Sequence, residues 1–277
     1  MEVIRDLTFD KERALYEKSD IHIINCKFDG EADGESALKE GVKIVAESCY
    51  FNLRYPLWHC SGAVLKNCEM TINCRAPLWY SSDVLIDGCQ LNTIKAIREC
   101  SGINIKSTRI VSEELGWRTD KITISDSYIE GQYAFFQSSN MKLENVDFKG
   151  KYSFQYIENA VIDRCNLDTK DAFWHGKNIT VRNSVIKGEY LGWYCENVTF
   201  ENCKIIGTQP LCYCKGLNLI NCEMIDCDLS FERSEVYAEL VKPILSIKNP
   251  LKGKITAPEC GEIIIDSDKY KAEIIIG

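Results

Sequence analysis

A short pattern of apolar and polar positions, I-x-I-x-x-C-x-I, recurs along most of the chain. The position of its cysteine is occupied in turn by Cys26, Cys49, Cys68, Cys89, Thr108, Ser127, Val146, Cys165, Ser184, Cys203 and Cys222. The first three steps are 23, 19 and 21 residues long, and the next seven are all 19. A fixed period of this kind is typical of a solenoid, in which each copy forms one turn.

Two columns of the repeat predict corners, because Gly, Asn and Asp tolerate a positive φ. One residue before the cysteine position, asparagine dominates: Asn25, Asn67, Asn145, Asn183, Asn202 and Asn221. Six residues before it stand Asp20, Lys43, Gly62, Asp83, Gly102, Lys121, Asn140, Asn159, Asn178, Asn197 and Gly216. Between the corners, residues such as Ile179 and Val181 alternate with polar ones, which predicts a strand with one buried face. A third strand is predicted further on, as at residues 172–175 and 191–194.

The predicted fold is an all-β, single-stranded parallel β-helix that forms one domain over residues 1–277. We expect a short capping helix within residues 1–18, about eleven regular turns over 19–232, and irregular terminal turns or a hairpin cap over 233–277. A leucine-rich repeat is the competing architecture. It requires a further leucine upstream, where this chain has none, and its usual period is roughly 20–29 residues.

Several segments carry a family resemblance. GEADGESALKE (30–40), NLRYPLWHC (52–60), KGKYSFQY (149–156), DTKDAFWHGKN (168–178), GEYLGWYCEN (188–197) and GTQPLCYCK (207–215) resemble an uncharacterised bacterial family, domain of unknown function 3737. That family is placed with the pectin-lyase-like β-helices, so the resemblance implies a right-handed coil. It implies no activity and no catalytic residues.

Composition and charge narrow the classes of function. Apolar residues make up 45% of the chain without a run long enough to span a membrane, and the N-terminal segment lacks the apolar core of a signal peptide, so we expect a cytoplasmic protein. The net charge of −8 disfavours nucleic acid, and it disfavours long polyanionic sugars unless a local basic patch exists. No phosphate loop, nucleotide fingerprint or nucleophile elbow occurs, so no cofactor is expected.

The fifteen cysteines are interpreted as packing residues. An odd count in a large chain without a secretion signal argues against a disulfide framework. Seven cysteines share one column of the repeat, and Cys60, Cys100, Cys195 and Cys214 share another, which predicts buried thiol ladders. Neither they nor the three histidines, His22, His59 and His175, show the spacing of a metal site.

Two adjacent columns of the third side combine aromatic and polar residues. The tryptophan column consists of Lys39, Trp58, Trp79, Arg98, Trp117, Phe136, Gln155, Trp174, Trp193, Cys212 and Phe231. The outer column consists of Glu40, His59, Tyr80, Glu99, Arg118, Gln137, Tyr156, His175, Tyr194, Tyr213 and Glu232. The preceding column is apolar and is predicted to face the interior. The two columns are either a platform for sugar rings or a ladder that stabilises the rod by stacking and cation–π contacts.

The candidate binding residues are those of the two columns that offer rings or charges: Lys39, Trp58, Trp79, Tyr80, Arg98, Trp117, Arg118, Trp174, His175, Trp193 and Tyr194. Glu40, His59 and Glu99 are the candidate catalytic residues. Glu40 and His59 stand on adjacent turns and could form an acid–base pair. Glu40 and Glu99 are three turns or about 14 Å apart, too far for the paired carboxylates of a glycosidase. Glu99 is expected to form an exposed ion pair with Arg118.

The two irregular steps of the repeat place inserted residues beside Glu40, His59 and Tyr80. Loops that interrupt a repeat often carry function, so these insertions are where the sequence predicts a functional site. The first insertion, with Asp29, Glu31, Asp33 and Gly34 followed by Glu40, nearly matches a calcium loop. Flanking strands replace the expected helices, so an acidic turn is the alternative interpretation.

The sequence predicts a protein that binds or processes an oligosaccharide along this face. The alternative is a non-catalytic scaffold whose face docks a protein partner or a second copy of the chain. A groove beside the inserted loops would favour sugar, whereas a flat face with a large apolar patch would favour protein.

Overall fold

The computed structural model describes residues 1–30 and 34–277 of the chain, and every regular element among them is a β-strand. The chain divides into two compact units, residues 1–142 and 143–277. None of the described residues forms a helix that could cross a membrane. The expectation of a single domain stays a prediction.

The described strands that lie wholly within the first unit are β1 (Glu2–Arg5), β2 (Thr8–Phe9), β3 (Ser19–Ile24), β4 (Lys27–Phe28), β5 (Val42–Glu47), β6 (Tyr50–Phe51), β7 (Val64–Lys66), β8 (Glu69–Met70), β9 (Leu78–Trp79), β10 (Ser82–Asp87), β11 (Gln90–Ile94), β12 (Ile97–Arg98), β13 (Ser101–Lys106), β14 (Arg109–Glu113) and β15 (Asp120–Gln132). Strands β1, β3, β5, β7, β10, β13 and β15 pair in succession, all parallel. Strands β2, β4, β6, β8, β11, β14 and the later part of β15 form a second parallel ladder. This is the pairing of a parallel β-solenoid.

The remaining strands are β16 (Ser139–Lys151), β17 (Glu158–Asp163), β18 (Asn166–Lys170), β19 (Lys177–Arg182), β20 (Val185–Lys187), β21 (Glu196–Glu201), β22 (Lys204–Ile206), β23 (Lys215–Ile225), β24 (Glu235–Leu240), β25 (Ile244–Lys248), β26 (Lys252–Ala257), β27 (Cys260–Ile264) and β28 (Glu273–Ile276). In the second unit, β17, β19, β21, β23, β24, β26 and β28 pair in parallel. The register of Ile179 with Val198 shows the 19-residue step of the repeat.

Both predicted corner columns are confirmed by the backbone. Asn183, Asn202 and Asn221 have φ values of 51°, 52° and 52°, and the second corner column is left-handed at all eleven positions, from Asp20 to Gly216. The asparagine side chains also form a ladder, since Asn221 Nδ2 donates to Asn202 Oδ1 at 2.6 Å. Asparagine and glycine therefore mark the corners because they accept this conformation and bond locally.

The predicted interior is confirmed as well. The apolar column before the tryptophan column is buried throughout: Leu38, Leu57, Leu78, Ile97, Phe135, Phe154, Phe173 and Leu211. Fourteen of the fifteen cysteines are buried and all are free thiols, with Cys260 half-buried. Their hydrogen bonds run along the axis, as where the Cys195 thiol donates to the Phe173 carbonyl at 2.9 Å. The cysteines are packing residues, as the repeat predicts.

The predicted third strand is largely wrong. Among the described residues up to residue 232, only Leu78–Trp79 and Ile97–Arg98 are strands on this side of the turns. Elsewhere left-handed residues interrupt the extended backbone, as Asp171, Phe173 and His175 do with φ of 54°, 62° and 57°. Hydrogen bonds between turns persist, because the N–H of His175 donates to the Trp193 carbonyl at 2.9 Å. On this side the backbone therefore forms tight bends that are hydrogen-bonded from one turn of the solenoid to the next.

The predicted capping helix at residues 1–18 is also wrong. These residues form a further turn of the solenoid, in which β1 pairs with β3 and β2 with β4. Arg13 and Glu17 have φ of 53° and 56°, which a right-handed helix excludes. The N–H of Leu15 donates to the Ala37 carbonyl of the next turn at 2.8 Å. Bonding between turns replaces the bonding within a helix.

The residues after 232 continue as irregular turns, one of the two expected outcomes. Val236 stands in register with Gly253, a step of 17 residues, and Lys254 with Glu273, a step of 19. The pairing of β24 with β23 contains a shift between Leu219 and Cys222. The sheet thus continues through shorter and distorted turns.

Candidate functional site

The tryptophan column is a stack of half-buried rings. Trp58 and Trp79 lie parallel in the first unit with ring centroids 5.3 Å apart, and Trp174 and Trp193 have the same spacing in the second. Because one ring follows another at the spacing of the turns, their faces cover each other. The two faces that meet within each pair are therefore closed to solvent.

Every indole N–H of the column is already bonded to the backbone of the following turn. The distance from Nε1 to the carbonyl oxygen is 2.7 Å for Trp58 and Ala76, and 2.7 Å for Trp174 and Tyr190. The other three indoles make equivalent bonds, those of Trp79, Trp117 and Trp193. A half-buried indole usually requires such a partner. The rings and their N–H groups therefore stabilise the solenoid. This argues against the hypothesis that sugar rings pack on the tryptophan column.

Arg98 occupies the same column between two tryptophans. Its guanidinium carbon lies 4.7 Å from the ring centroids of both Trp79 and Trp117, and its Nη2 donates to Glu114 at 2.7 Å. Two cation–π contacts and an ion pair hold the side chain in place. Arg98 replaces a ring in the stack.

The outer column stands at a corner and is more exposed. Its members from Glu40 to Tyr213 all have left-handed φ values, between 51° and 61°. Tyr194 is 44% exposed and Tyr156 45%. Since a left-handed residue turns the chain, this column marks a corner of each turn. The tryptophan column is thus half-buried and the outer column more exposed, a difference that the sequence pattern did not predict.

Rings of the outer column also stack. In the second unit, Tyr156, His175, Tyr194 and Tyr213 follow one another with centroid distances of 4.8, 4.9 and 4.8 Å and interplanar angles of 12° or less. Their faces are covered, and their hydroxyl and imidazole edges point away from the stack. The result is a row of hydrogen-bonding groups, one for each turn.

In the first unit the outer column is shorter in rings. His59 stacks on Tyr80 at 5.0 Å, and Arg118 pairs with Glu99 at 3.5 Å while donating to Gln137 at 3.2 Å. The expected ion pair of Glu99 and Arg118 is confirmed. Glu40 precedes His59 by one turn, since the N–H of Glu40 donates to the Trp58 carbonyl at 2.9 Å.

The structure therefore brings the predicted residues into two sets. Lys39, Glu40, Trp58, His59, Trp79, Tyr80, Arg98, Glu99, Trp117 and Arg118 lie in the first unit, and Trp174, His175, Trp193 and Tyr194 in the second. Of the proposed calcium loop, Glu31 and Asp33 lie outside the described residues. Among the described residues, no group of three or more His, Cys, Asp or Glu side chains could hold a metal ion.

The thiols of the column that consists of Cys60, Cys100, Cys195 and Cys214 lack the properties of a nucleophile. Burial raises the pKa of Cys195 and of Cys60 to about 12 and that of Cys214 well above the ordinary value. A thiol with a raised pKa is almost entirely protonated near neutral pH, and the thiolate is the reactive form. This column of cysteines is therefore structural.

Sequence reasoning missed one groove in the second unit. An open groove of about 470 Å³ is lined by Asn218, Leu219, Ile220, Tyr237, Ala238, Glu239, Lys254 and Thr256. Tyr237 is 63% exposed, the most exposed large apolar side chain of this unit. The repeat fades here, so no column drew attention to Tyr237. The available signal was the alternation along the strand, in which Tyr237 and Glu239 are exposed while Val236 and Ala238 are buried.

No curated protein matches the sequence. The surface protein and adhesin PfbA of Streptococcus pneumoniae is 12% identical, with 98% of this chain and 91% of that chain covered and a TM-score of 0.40. A GH136 lacto-N-biosidase of Eubacterium ramulus is 10% identical, with 89% and 63% covered and a TM-score of 0.38. The periplasmic alginate epimerase AlgG is 8% identical, with 93% of this chain and 77% of that chain covered and a TM-score of 0.29. Residues 2–276 match the family described as protein of unknown function DUF3737, and the chain belongs to that family.

Proposed function

We propose that this protein binds an oligosaccharide along the outer column of its second unit. The observation that carries the proposal is the row of four stacked rings, Tyr156, His175, Tyr194 and Tyr213, whose polar edges recur once per turn. An oligosaccharide is an extended chain that offers hydroxyl groups at regular intervals. A row of phenol and imidazole edges can donate to or accept from each of them.

Stacking prepares this row for binding. Each ring rests on its neighbour, and Trp193 also contacts Tyr194 and Tyr213 with centroids 6.4 and 5.5 Å away. Side chains that are ordered before binding lose little rotamer freedom when a ligand arrives. The tryptophan column, with Trp174 and Trp193, thereby supports the outer column instead of touching the sugar with its faces.

The first unit offers a smaller version of the same surface. His59 and Tyr80 present stacked edges, with Lys39, Trp58, Trp79 and Trp117 in the column behind them. Processing of the sugar stays a hypothesis that depends on Glu40 as one partner and His59 as the other. Glu99 is the weaker candidate, because its carboxylate is paired with Arg118 at 3.5 Å.

A thermal-shift screen with neutral and acidic oligosaccharides tests the proposal. A ligand at about 100 times its Kd adds about 2.7 kcal/mol to the free energy of unfolding, which raises the Tm by several degrees. Tyr194→Phe keeps the stacked ring and removes the hydroxyl, so we expect it to lose much of that shift. Tyr133→Phe, another exposed tyrosine, is the matched control and should keep it.

Two results would contradict the proposal. If Tyr194→Phe kept the full shift, the row of polar edges would not be the binding surface. If no oligosaccharide shifted the Tm, docking of a protein partner would become the better interpretation. Exposed aliphatic residues such as Leu245, 54% exposed, would then be the first surface to probe.

A further inference from the structure

The groove around Tyr237 lies on a different surface from the outer column. Tyr237 stands in register with Asn218 on one neighbouring strand and with Lys254 on the other. Glu239 stands in register with Thr256, two residues further along the same strands. Residues two apart on a strand share a face, so these side chains form one outward patch of about 7 by 10 Å.

The turns around this patch are irregular. The register between β23 and β24 shifts between Leu219 and Cys222, and the next step to β26 spans 17 residues instead of 19. Gly253 permits the close approach of β26, because a Cβ there would lie 1.9 Å from the Val236 carbonyl oxygen at a φ of 113°. The backbone of these turns, and not only their side chains, therefore shapes the groove.

Tyr237 differs from every ring of the two columns in one respect. Its side chain is 63% exposed, and among residues 1–30 and 34–277 no ring or cation stacks on it. The rings of the columns are covered by other rings or by Arg98. An exposed aromatic face is the surface on which the apolar side of a pyranose ring packs, and such packing removes apolar area from water.

Polar groups surround this ring. Asn218 lies on one side and Lys254 on the other, with the Glu239 carboxylate in the next row. Within residues 1–30 and 34–277, the one ion pair of Lys254 is a long contact to Glu273, 3.8 Å between Nζ and Oε2. Amide, ammonium and carboxylate groups together can bond to the hydroxyl groups at the rim of a sugar ring. The opposite charges of Glu239 and Lys254 give the groove no preference for an anion.

We propose that this groove is a binding site for a neutral sugar, with Tyr237 as the stacking platform and Asn218, Glu239 and Lys254 as hydrogen-bonding partners. Its volume of about 470 Å³ lies within the range of about 300–1,000 Å³ of small-molecule sites. The site goes beyond the proposed outer-column surface and does not depend on it.

Isothermal titration calorimetry on the full chain tests the groove. The probes are neutral tetrasaccharides of glucose, xylose, mannose and galactose, with tetragalacturonate as the acidic comparison. We expect at least one neutral probe to bind, and Tyr237→Ala to weaken it by about tenfold or more because the platform is lost. Tyr237→Phe keeps the ring and should stay within about threefold of the native Kd.

The control variants separate the two surfaces. Tyr133→Ala removes an exposed tyrosine elsewhere and should leave binding in the groove unchanged. Tyr194→Phe should also leave it unchanged, whereas it weakens a ligand of the outer column. The groove therefore predicts sensitivity to loss of the ring, and the outer column predicts sensitivity to loss of the hydroxyl. If Tyr237→Ala lowered the Tm of the free protein, Tyr237→Leu would replace it.

Three results would overturn the inference. One is the absence of binding by all four neutral probes. Another is native affinity in both Tyr237→Ala and Tyr237→Leu. The third is a clear preference for tetragalacturonate, which would require a basic site, whereas the groove is lined by one carboxylate, Glu239, and one ammonium group, Lys254.

Discussion

Single residues of this protein tolerate conformations that are uncommon elsewhere. Tyr194 and Phe173 have φ of 61° and 62°, although a left-handed conformation costs a non-glycine residue roughly 1–2 kcal/mol. The cost is offset because the backbone of each turn bonds to its neighbours, as where the N–H of Tyr194 donates to the Cys212 carbonyl at 3.1 Å. The fold also changes the chemistry of single side chains. Burial raises the pKa of thiols such as Cys195, so their surroundings favour the protonated form.

The cysteines should consequently be inert in the folded protein. With a thiol reagent near pH 8, we expect the native chain to react at Cys260, the half-buried thiol, and the unfolded chain to react at all fifteen. Mass spectrometry after brief labelling measures the difference. Rapid modification of Cys60 or Cys195 in the native protein would contradict the burial described here.

At the scale of elements, the ladders along the axis provide the regularity of the turns. The tryptophan column is one of them, and Gln155 occupies it in the second unit without a ring. Gln155 Nε2 nevertheless donates to the Asp171 carbonyl at 3.2 Å, as the indoles do to the corresponding carbonyls. The hydrogen bond to the next turn is thus a property of the position, and ring stacking is an addition to it.

Replacement of Gln155 by tryptophan should therefore stabilise the protein. The new ring would stack on Trp174 as Trp193 does at 5.3 Å, and its N–H could keep the bond to Asp171. We expect a gain of about 0.5–1.5 kcal/mol in the free energy of unfolding, measured by denaturant titration. Gln155→Leu, which lacks the donor, is the control and should not be stabilising. A lower stability of Gln155→Trp would show that the column requires a break at this turn.

At the scale of the whole molecule, the buried thiols link stability to pH. The pKa of Cys195 is raised to about 12, above the value of about 8.5 of an unfolded cysteine. A raised pKa in the fold means that the native state holds its proton more tightly. The stabilisation is complete below about pH 8.5 and is lost as the pH rises toward 12.

The Tm should consequently fall by several degrees between about pH 8 and pH 11. Cys195→Ser offers a matched variant, since Ser81 occupies the same column and its hydroxyl donates to the Leu57 carbonyl at 2.7 Å. A hydroxyl does not ionise in this range, so the variant should lose less stability than the native chain. Equal losses in both proteins would assign the alkaline transition to other groups.

Much of this architecture was accessible from the sequence. The 19-residue period, the corner asparagines and the buried apolar column follow from a local pattern that repeats, and the resemblance to the DUF3737 family is confirmed. Each turn meets the same surroundings in a solenoid, so one copy of the pattern predicts the others. The ion pair between Glu99 and Arg118 was predictable for the same reason, because the repeat places both residues at one position of adjacent turns.

Only the tertiary structure decided how the remaining parts are used. Residues 1–18 contain a helix-like pattern, yet their N–H groups bond to the following turn, as that of Leu15 does to Ala37. Trp58 stacks on Trp79 and Trp174 on Trp193, which depends on the spacing between turns and not on the residues of one turn. Tyr237 lies on the outward face of β24, where it stands in register with Asn218 and Lys254 of the neighbouring turns. These features depend on contacts between turns, and a pattern within one turn does not contain them.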